Sequence, residues 1–321
     1  MLQPLREKGK FVNPGRPAVQ WTPGEEGSEI TWRDFWNWRR TRPEHPKTWD
    51  VPQAPRVERL PAAPASGIAA TWIGHSSVLL QLDGKTLLCD PVWSRRLVGG
   101  LAVSRMTPPG QAWEALPRVD ALLVSHNHYD HLDAPTVKRL PRETPVFCGT
   151  SVGRWFARRG FSRVTELTWW ERAKLDGHVV SFVPAQHFSG RMLHDRDRTL
   201  WGGFVVEGSD GSVAYFAGDS GYFEGFREVG DAFPRIDLAL IPVGAYEPRW
   251  FMAPVHTDPA EAGQAFLDCR ARRMMPIHWG TFRLADEAID APPRVLRAWW
   301  GEKGLDPGKL VVPALGERID L

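Results

Sequence analysis

His126, His128, Asp130 and His131 fall within residues 126–131, in the run Ser125-His-Asn-His-Tyr-Asp-His-Leu132, directly after the apolar stretch Ala121-Leu-Leu-Val124. Imidazole nitrogens and carboxylate oxygens suit zinc and similar divalent ions. The apolar stretch reads as a strand, so these ligands sit on a tight loop at its end. A loop of solvated histidines is the plain alternative, but packing a core gives no reason to gather such side chains so densely. Three further residues recur in the same setting. His187 follows Val180-Ser-Phe-Val-Pro-Ala-Gln186, Asp219 follows Val213-Ala-Tyr-Phe-Ala-Gly218, and His278 follows Met274-Met-Pro-Ile277. Singly, His187 or His278 is more often a satisfied polar residue at a strand end, and Asp219 a turn or cap aspartate. As a set with the 126–131 loop, they reach the number of ligands that a two-metal centre requires. Two ions about 3.5–4 Å apart can share a nucleophile and clamp the attacked centre.

The elements that must position these residues are legible as short apolar runs broken by Gly, Pro and Asp. Ala69 to Leu82 and Lys85 to Pro91 read as strand-dense, flanking the hairpin signal Asp83-Gly84. Further strands are expected at 120–125, 145–148, 178–184, 203–207, 212–217, 237–242, 273–278 and 310–313. Helices are expected near 134–140, 150–159, 258–270 and 292–302. Asp258-Pro259-Ala-Glu261 carries an N-cap, a first-turn proline and an acidic start. Strands in two runs interleaved with helices imply two packed sheets covered by helices. Residues 1–65, rich in Pro, Arg and Trp, read as an arm wrapping a main domain of residues 66–321, with a short helix near Trp32–Arg40.

Composition narrows the classes. The chain has 321 residues, 42% hydrophobic and 24% charged, enough for a sizeable core. A net charge of +2 is too mild to imply a nucleic-acid partner. Cys89, Cys148 and Cys269 sit among apolar neighbours and read as packed thiols in a reducing compartment. The first residues lack the apolar region of a secretory signal, and no apolar run approaches the roughly 20 residues of a membrane span. The expectation is a cytoplasmic protein, at most peripheral on the inner membrane face. The sixteen tryptophans are unusual, with Trp21, Trp32, Trp36, Trp38 and Trp49 clustered early. Trp32, Phe35 and Trp36 are expected to form the buried stripe of a helix packed on the body; contact with a membrane interface is the second reading.

The His-x-His-x-Asp-His signature, followed by single His, Asp and His at strand ends, resembles the metallo-β-lactamase superfamily. Within it, the chain is similar to the N-acyl-phosphatidylethanolamine-hydrolysing phospholipase D family. The matching stretches are Phe11–Pro14, Gly74-His75-Ser, Asp90-Pro91, Ser125–Asp133, Pro184–His187, Gly218–Tyr222, Pro242–Met252, His256–Ala262 and Ile277–Phe282. The metal signature specifies the superfamily; the Pro242–Met252 run is the stretch specific to the phospholipase-like branch. The resemblance implies an α/β fold of four layers, αβ/βα, with two mixed sheets flanked by helices. It also implies one zinc on His126, His128 and His187, and a second on Asp130, His131 and His278, with Asp219 bridging. Asp130 would orient the bridging hydroxide. His75 and Asp90 would hydrogen-bond the ligands from behind. Tyr129 and His256 match positions that touch the substrate phosphate in the resembled family. Tyr246 and Arg249 read equally well as lining the entrance and as making structural hydrogen bonds.

The activity so implied is phospholipase D-type hydrolysis of N-acyl-phosphatidylethanolamine to N-acylethanolamine and phosphatidic acid. The partners would then be a phospholipid or other phosphodiester substrate and a membrane surface, helped by the basic stretch Arg154–Arg163. The alternative substrate is a small soluble ester, a sugar-phosphate lactone or cyclic phosphodiester, since an identical metal site serves several chemistries. His187-Phe-Ser-Gly-Arg191 departs from the lipid-cleaving family, which has a Trp-Cys-Lys type of sequence there. A non-catalytic lipid-binding protein is the third reading. The same ligands accept manganese or iron in place of zinc. A diiron oxygen-reducing relative is disfavoured, because His128 stands where that branch has Glu.

Overall fold

The computed structural model describes residues 1–14, 32–44, 48–97, 103–192 and 194–321. Trp21 lies outside the described residues, as do the side chains of Trp32 and Phe35. The chain begins with a hairpin of β1 (Leu5–Glu7) and β2 (Lys10–Val12) and a helix, α1 (Trp32–Thr41). The first run of strands is β3 (Ile68–Gly74), β4 (Ser77–Leu82), β5 (Lys85–Cys89) and β6 (Ala121–Val124), then helix α2 (Ala134–Val137) and β7 (Val146–Gly149). Helix α3 (Gly153–Ala157) and β8 (Val164–Leu167) complete that half. The second run is β9 (Arg172–Leu175), β10 (His178–Val183), β11 (Gly203–Glu207) and β12 (Val213–Phe216), then α4 (Gly225–Ala232) and β13 (Leu238–Pro242). It continues with α5 (Arg249–Met252), α6 (Pro259–Asp268), β14 (Met274–Ile277), α7 (Ala291–Glu302) and β15 (Arg318–Asp320).

The strands form two mixed sheets, one ordered β15-β3-β4-β5-β6-β7-β8 and the other β14-β13-β12-β11-β10-β9. Residues alternate between faces along a strand, and the apolar sets divide accordingly. Leu80, Leu82, Leu87, Leu123 and Phe147 of the first sheet share one buried core with Phe182, Phe204 and Phe216 of the second. The intervening Leu79, Leu88, Leu122, Val124 and Val146 belong to a separate core with Val137, Val152 and Phe156, at α2 and α3. Phe226, Phe266, Leu296 and Trp300 place α4, α6 and α7 against the second sheet. Helix, sheet, sheet, helix is the expected four-layer order.

Local chemistry explains several junctions. Asp83 and Gly84 take φ of 46° and 78°, the left-handed pair that a two-residue hairpin needs. Asp258 accepts from the backbone N–H of Glu261, whose carboxylate accepts from that of Asp258, closing a capping box on α6. Elsewhere the expectations shift. The strand-dense stretch 69–82 is two antiparallel strands, because the chain reverses at His75-Ser76 between Gly74 and Ser77. Segment 310–313 is no strand; Leu310 makes only a single bridge to Met274. β8 and β9, with sequences VTEL and RAKL, carry charge and hide poorly as apolar runs, so periodicity passed over them. Helix α1 docks through Trp38, whose ring lies 5.2 Å from Phe251 and whose indole donates to Asp286; Trp36 is 55% exposed, so the expected stripe does not bury it. The three cysteines are buried and free. Among the described residues, no helix is long and apolar enough to cross a membrane.

Phe204 is fully buried between the sheets, 5.0 Å from the Phe182 ring. Phe204→Ala is expected to destabilise the chain by about 3–5 kcal/mol, read from the midpoint of urea unfolding.

Candidate metal centre

The parallel strands set the site. β5 runs parallel to β6, and β12 to β13 and β14, while β10 is antiparallel to β11 and so shares the direction of β12. Loops beyond carboxyl ends of such strands are where α/β sheets bind ligands. Asp90 leaves β5, Ser125–His131 leave β6, His187 follows β10, Asp219 follows β12 and His278 follows β14; His75 comes from the β3–β4 reversal. The structure brings all seven expected ligands together, with His75, Asp90 and His256 beside them.

Two groups of atoms converge. His126 Nε2 and His187 Nε2 lie 2.8 and 3.3 Å from His128 Nδ1. In the other group, His131 Nε2 and His278 Nε2 lie 3.7 and 3.8 Å from Asp130 Oδ2. Asp219 Oδ2 stands between the two groups, 3.0 Å from His131 Nε2, 3.0 Å from His278 Nε2 and 3.8 Å from His187 Nε2. His75 Nε2, 3.1 Å from Asp130 Oδ2, joins the second group, so its position suits bracing of Asp130 as well as ligation.

The back side of each ring fixes which nitrogen faces inward. His131 Nδ1–H donates to Asp90 Oδ2 at 2.7 Å, and His187 Nδ1–H donates to the Val255 carbonyl at 2.9 Å. The Ser125 hydroxyl donates to Asp90 and accepts from His126 Nδ1–H at 2.9 Å. Each leaves an Nε2 lone pair pointing into the site, the arrangement that prepares a metal-binding imidazole. The inward atoms lack other partners. His131 Nε2, His278 Nε2 and Asp219 Oδ1 are buried with no hydrogen bond. An orphaned buried polar atom costs about 1–3 kcal/mol, and a divalent cation satisfies all three at once. The donor set therefore fits a metal.

Charge agrees with geometry. Burial, followed by neighbouring imidazoles, holds His126 well below its usual range, and burial takes His187 down to about 4. These rings are neutral, as ligands must be. Burial also opposes charge on His278, yet Asp219 and Asp130 raise it to about 9. Burial would raise the Asp219 carboxyl, but His131 and His278 hold it well below the usual carboxylate range. That half of the site is a carboxylate field favouring positive charge.

Close backbone packing maintains this. His75, Asp90 and His278 have φ of 56°, 38° and 63°, a region that costs non-glycine residues of order 1–3 kcal/mol. Gly244 passes so close that a Cβ there would sit 2.0 Å from the His278 carbonyl oxygen. His256 is half-buried, its ring 5.1 Å from His187 and 5.2 Å from His278. Tyr129 sits at the rim, its ring under the Arg191 guanidinium at 3.9 Å and its hydroxyl directed at Met192 Sδ. Arg249 braces the site from outside, donating to the His256 carbonyl and to Glu261. Sequence reasoning assigned no role to Ser125, to Asn13, which donates to the His187 carbonyl at 2.8 Å, or to Arg191, which donates to the carbonyls of Asn127 and Leu132 at 2.9 and 2.7 Å. Ser125 and Asn13 lay inside recognisable stretches; nothing in the spacing of Arg191 singled it out.

Comparison with known proteins places this geometry. The profile of the Beta-lactamase superfamily domain matches residues 85–279. An uncharacterised protein of Mycobacterium tuberculosis is 37% identical over 99% of this chain and 84% of its own length. The N-acyl-phosphatidylethanolamine-hydrolyzing phospholipase D 1 of Caenorhabditis elegans is 38% identical over 71% of this chain and 68% of that protein. A metallo hydrolase from the archaeon Ignicoccus hospitalis shares the fold, with a TM-score of 0.62 at 24% identity over 79% of this chain and 98% of the other.

Asp90 is buried and touches no inward nitrogen, yet it aligns His131 directly and His126 through Ser125. Asp90→Asn is expected to weaken divalent-metal affinity about 10–100-fold, measured by competition with a chromogenic chelator.

Proposed function

This chain belongs to the beta-lactamase superfamily and is a metal-dependent hydrolase, and on that premise we propose that it is a dinuclear zinc phosphodiesterase of phospholipase D type. The observation that carries this reading is Asp219 Oδ2, set within 3.0–3.8 Å of imidazoles from both ligand groups. One ion would be held by His126, His128 and His187, the other by Asp130, His131 and His278, with Asp219 shared. Bound there, the two ions would supply Lewis acidity, lowering the pKa of water and neutralising phosphate charge.

The chain's own groups orient the reaction. Asp130, held by His75, offers a carboxylate oxygen to fix a water proton. His256, kept neutral first by burial, has a buried Nδ1 with no partner, suited to hold a phosphoryl oxygen or the leaving alcohol. The Tyr129 hydroxyl offers a second donor at the rim. Water attacks phosphorus, the P–O bond to the ethanolamine oxygen breaks, and that oxygen takes a proton. The products are an N-acylethanolamine and phosphatidic acid.

The lipid substrate is supported by the named activity of the nematode relative, and by Met192 and Trp250, 57% and 55% exposed near Tyr129 and ahead of His256. Such side chains would rest on a membrane interface and give the peripheral contact a lipid enzyme needs. A small soluble ester, such as a lactone or cyclic phosphodiester, is the second reading. It is favoured by His187-Phe-Ser-Gly-Arg191, where the chain departs from the sequence of the lipid-cleaving family just after a ligand.

Purified, zinc-loaded protein is expected to release N-acylethanolamine from N-acyl-phosphatidylethanolamine in mixed micelles. Turnover of a lactone or cyclic phosphodiester with none of the lipid would replace the first reading by the second. Elemental analysis is expected to find two metal ions per chain. Asp219→Ala is expected to lose metal and to cut turnover by more than the roughly 100-fold typical of outer hydrogen-bond changes.

A further inference from the structure

Beside the metal loop, a cleft of about 570 Å³ is lined by Arg154, Arg158, Arg159 and Arg191, with Trp155 and Asn127 among its walls. A solvated helix face is the plain reading of a basic stretch, and three features argue against it. The arginines enclose a volume, and one of them comes from a distant part of the chain. Arg191 lies beyond β10 and inserts its guanidinium between the Tyr129 ring, at 3.9 Å, and the Trp155 ring, at 5.7 Å, while Arg159 covers Trp155 at 3.6 Å. Tyr129, Arg191, Trp155 and Arg159 thus form an alternating row of ring and guanidinium, running from the metal loop to the back of the cleft.

The second feature is missing countercharge. Several arginines elsewhere meet carboxylates: Arg172 meets Glu207, Arg235 meets Asp237, Arg270 meets Asp231 and Arg318 meets Asp320. Among the described residues, Arg154 and Arg158 make no side-chain hydrogen bond or ion pair. The one carboxylate of the lining, Asp195, spends Oδ1 on the backbone N–H groups of Arg191 and Met192. Four guanidinium groups therefore line a cleft with one carboxylate, one oxygen of which is turned to the backbone. Third, the remaining lining is donor-rich, with Asn127, Ser151 and Thr199. Guanidinium forks and hydroxyls around a headgroup-sized space match phosphate oxygens.

We propose that this cleft binds a phosphate group of net negative charge, distinct from the phosphate to be cut at the metal centre. The assignment does not require the phospholipase reading, since any anionic phosphate ester offers the same oxygens. The source is either the headgroup of an anionic phospholipid in a bilayer or a soluble phosphate ester. Arg191 lines the cleft and also holds the carbonyls of Asn127 and Leu132, on either side of the His128–His131 ligands. An occupant therefore touches a side chain that braces the metal loop.

The test compares the metal-loaded wild-type chain with an R154Q/R158Q double variant, both residues being exposed and outside the metal centre. One arm measures co-sedimentation with phosphatidylcholine vesicles, with and without phosphatidylglycerol. The other titrates glycerol 3-phosphate by calorimetry. The wild type is expected to bind in at least one arm, and the double variant to bind there at least about tenfold more weakly, with matching sensitivity to salt. Loss confined to the vesicle arm identifies a lipid headgroup; loss in the titration identifies a soluble phosphate. Should the double variant fold poorly, R154Q and R158Q singly carry the same comparison. Wild-type protein that binds neither probe overturns the proposal. So does a variant that binds as tightly as wild type, which would place the phosphate at the metals.

Discussion

Asp219 is a buried carboxylate set among imidazoles that it does not hydrogen-bond in good geometry, and much of the structure exists to keep it there. A carboxylate without water is costly unless positive charge lies close by. Here His131 and His278 each approach Oδ2 to 3.0 Å while Oδ1 has no partner. Protonated imidazoles alone would leave that oxygen orphaned and would compete with burial. Divalent ions would satisfy both oxygens and release the imidazoles to the neutral form. The centre is thus organised around an attraction that protein atoms complete only in part.

That unfavourable collection of groups is held by rigid backbone. The ligands sit just beyond strand ends, and the loops between them make contact backbone to backbone, as where Gly244 passes the His278 carbonyl. His75 and His278 accept left-handed φ, and the His278 N–H donates to the His75 carbonyl at 3.1 Å, so the two strained residues are tied across the two sheets. The inter-sheet aromatic core beneath, with Phe182, Phe204 and Phe216, supplies the burial that offsets this strain. Stability and site geometry are in this sense one problem.

How much of this the sequence disclosed follows from which interactions are local. The 126–131 loop and the strand-end His187, Asp219 and His278 stood out because ligand-type residues broke apolar runs, a one-dimensional signal. Asp258 announced the start of α6 because a capping box spans only four residues. The reversal at His75-Ser76 was hidden: apolar residues continue through both β3 and β4, and only the backbone conformation shows that the chain turns. β8 and β9 were hidden for the opposite reason, since half-exposed strands mix charge into their pattern. Trp36 and Trp38 are two residues apart and point to different sides of α1, so a count of tryptophans could not tell which one docks. Arg191 shows the limit most clearly. Its role depends on carbonyls 59 and 64 residues away, and an arginine carries no local mark of such a contact.

Arg191 also connects the ligand loop with the arginine cleft beside it. A metal centre of this kind attacks esters of several classes, so discrimination must come from groups around it. On one side stand Tyr129 and Met192, on another His256 braced by Arg249, and between Tyr129 and the arginine cleft lies the Arg191 guanidinium. Because that guanidinium stacks on Tyr129 while bonding the backbone at both ends of the ligand loop, moving it would move the rim donor and the ligands together. Without a charged occupant, cation–π contacts worth about 0.5–2 kcal/mol each hold the row together with the bonds from Arg191 to the Asn127 and Leu132 carbonyls. An occupant of the cleft would therefore reach the ligand loop through Arg191, with no contact at the ligands themselves.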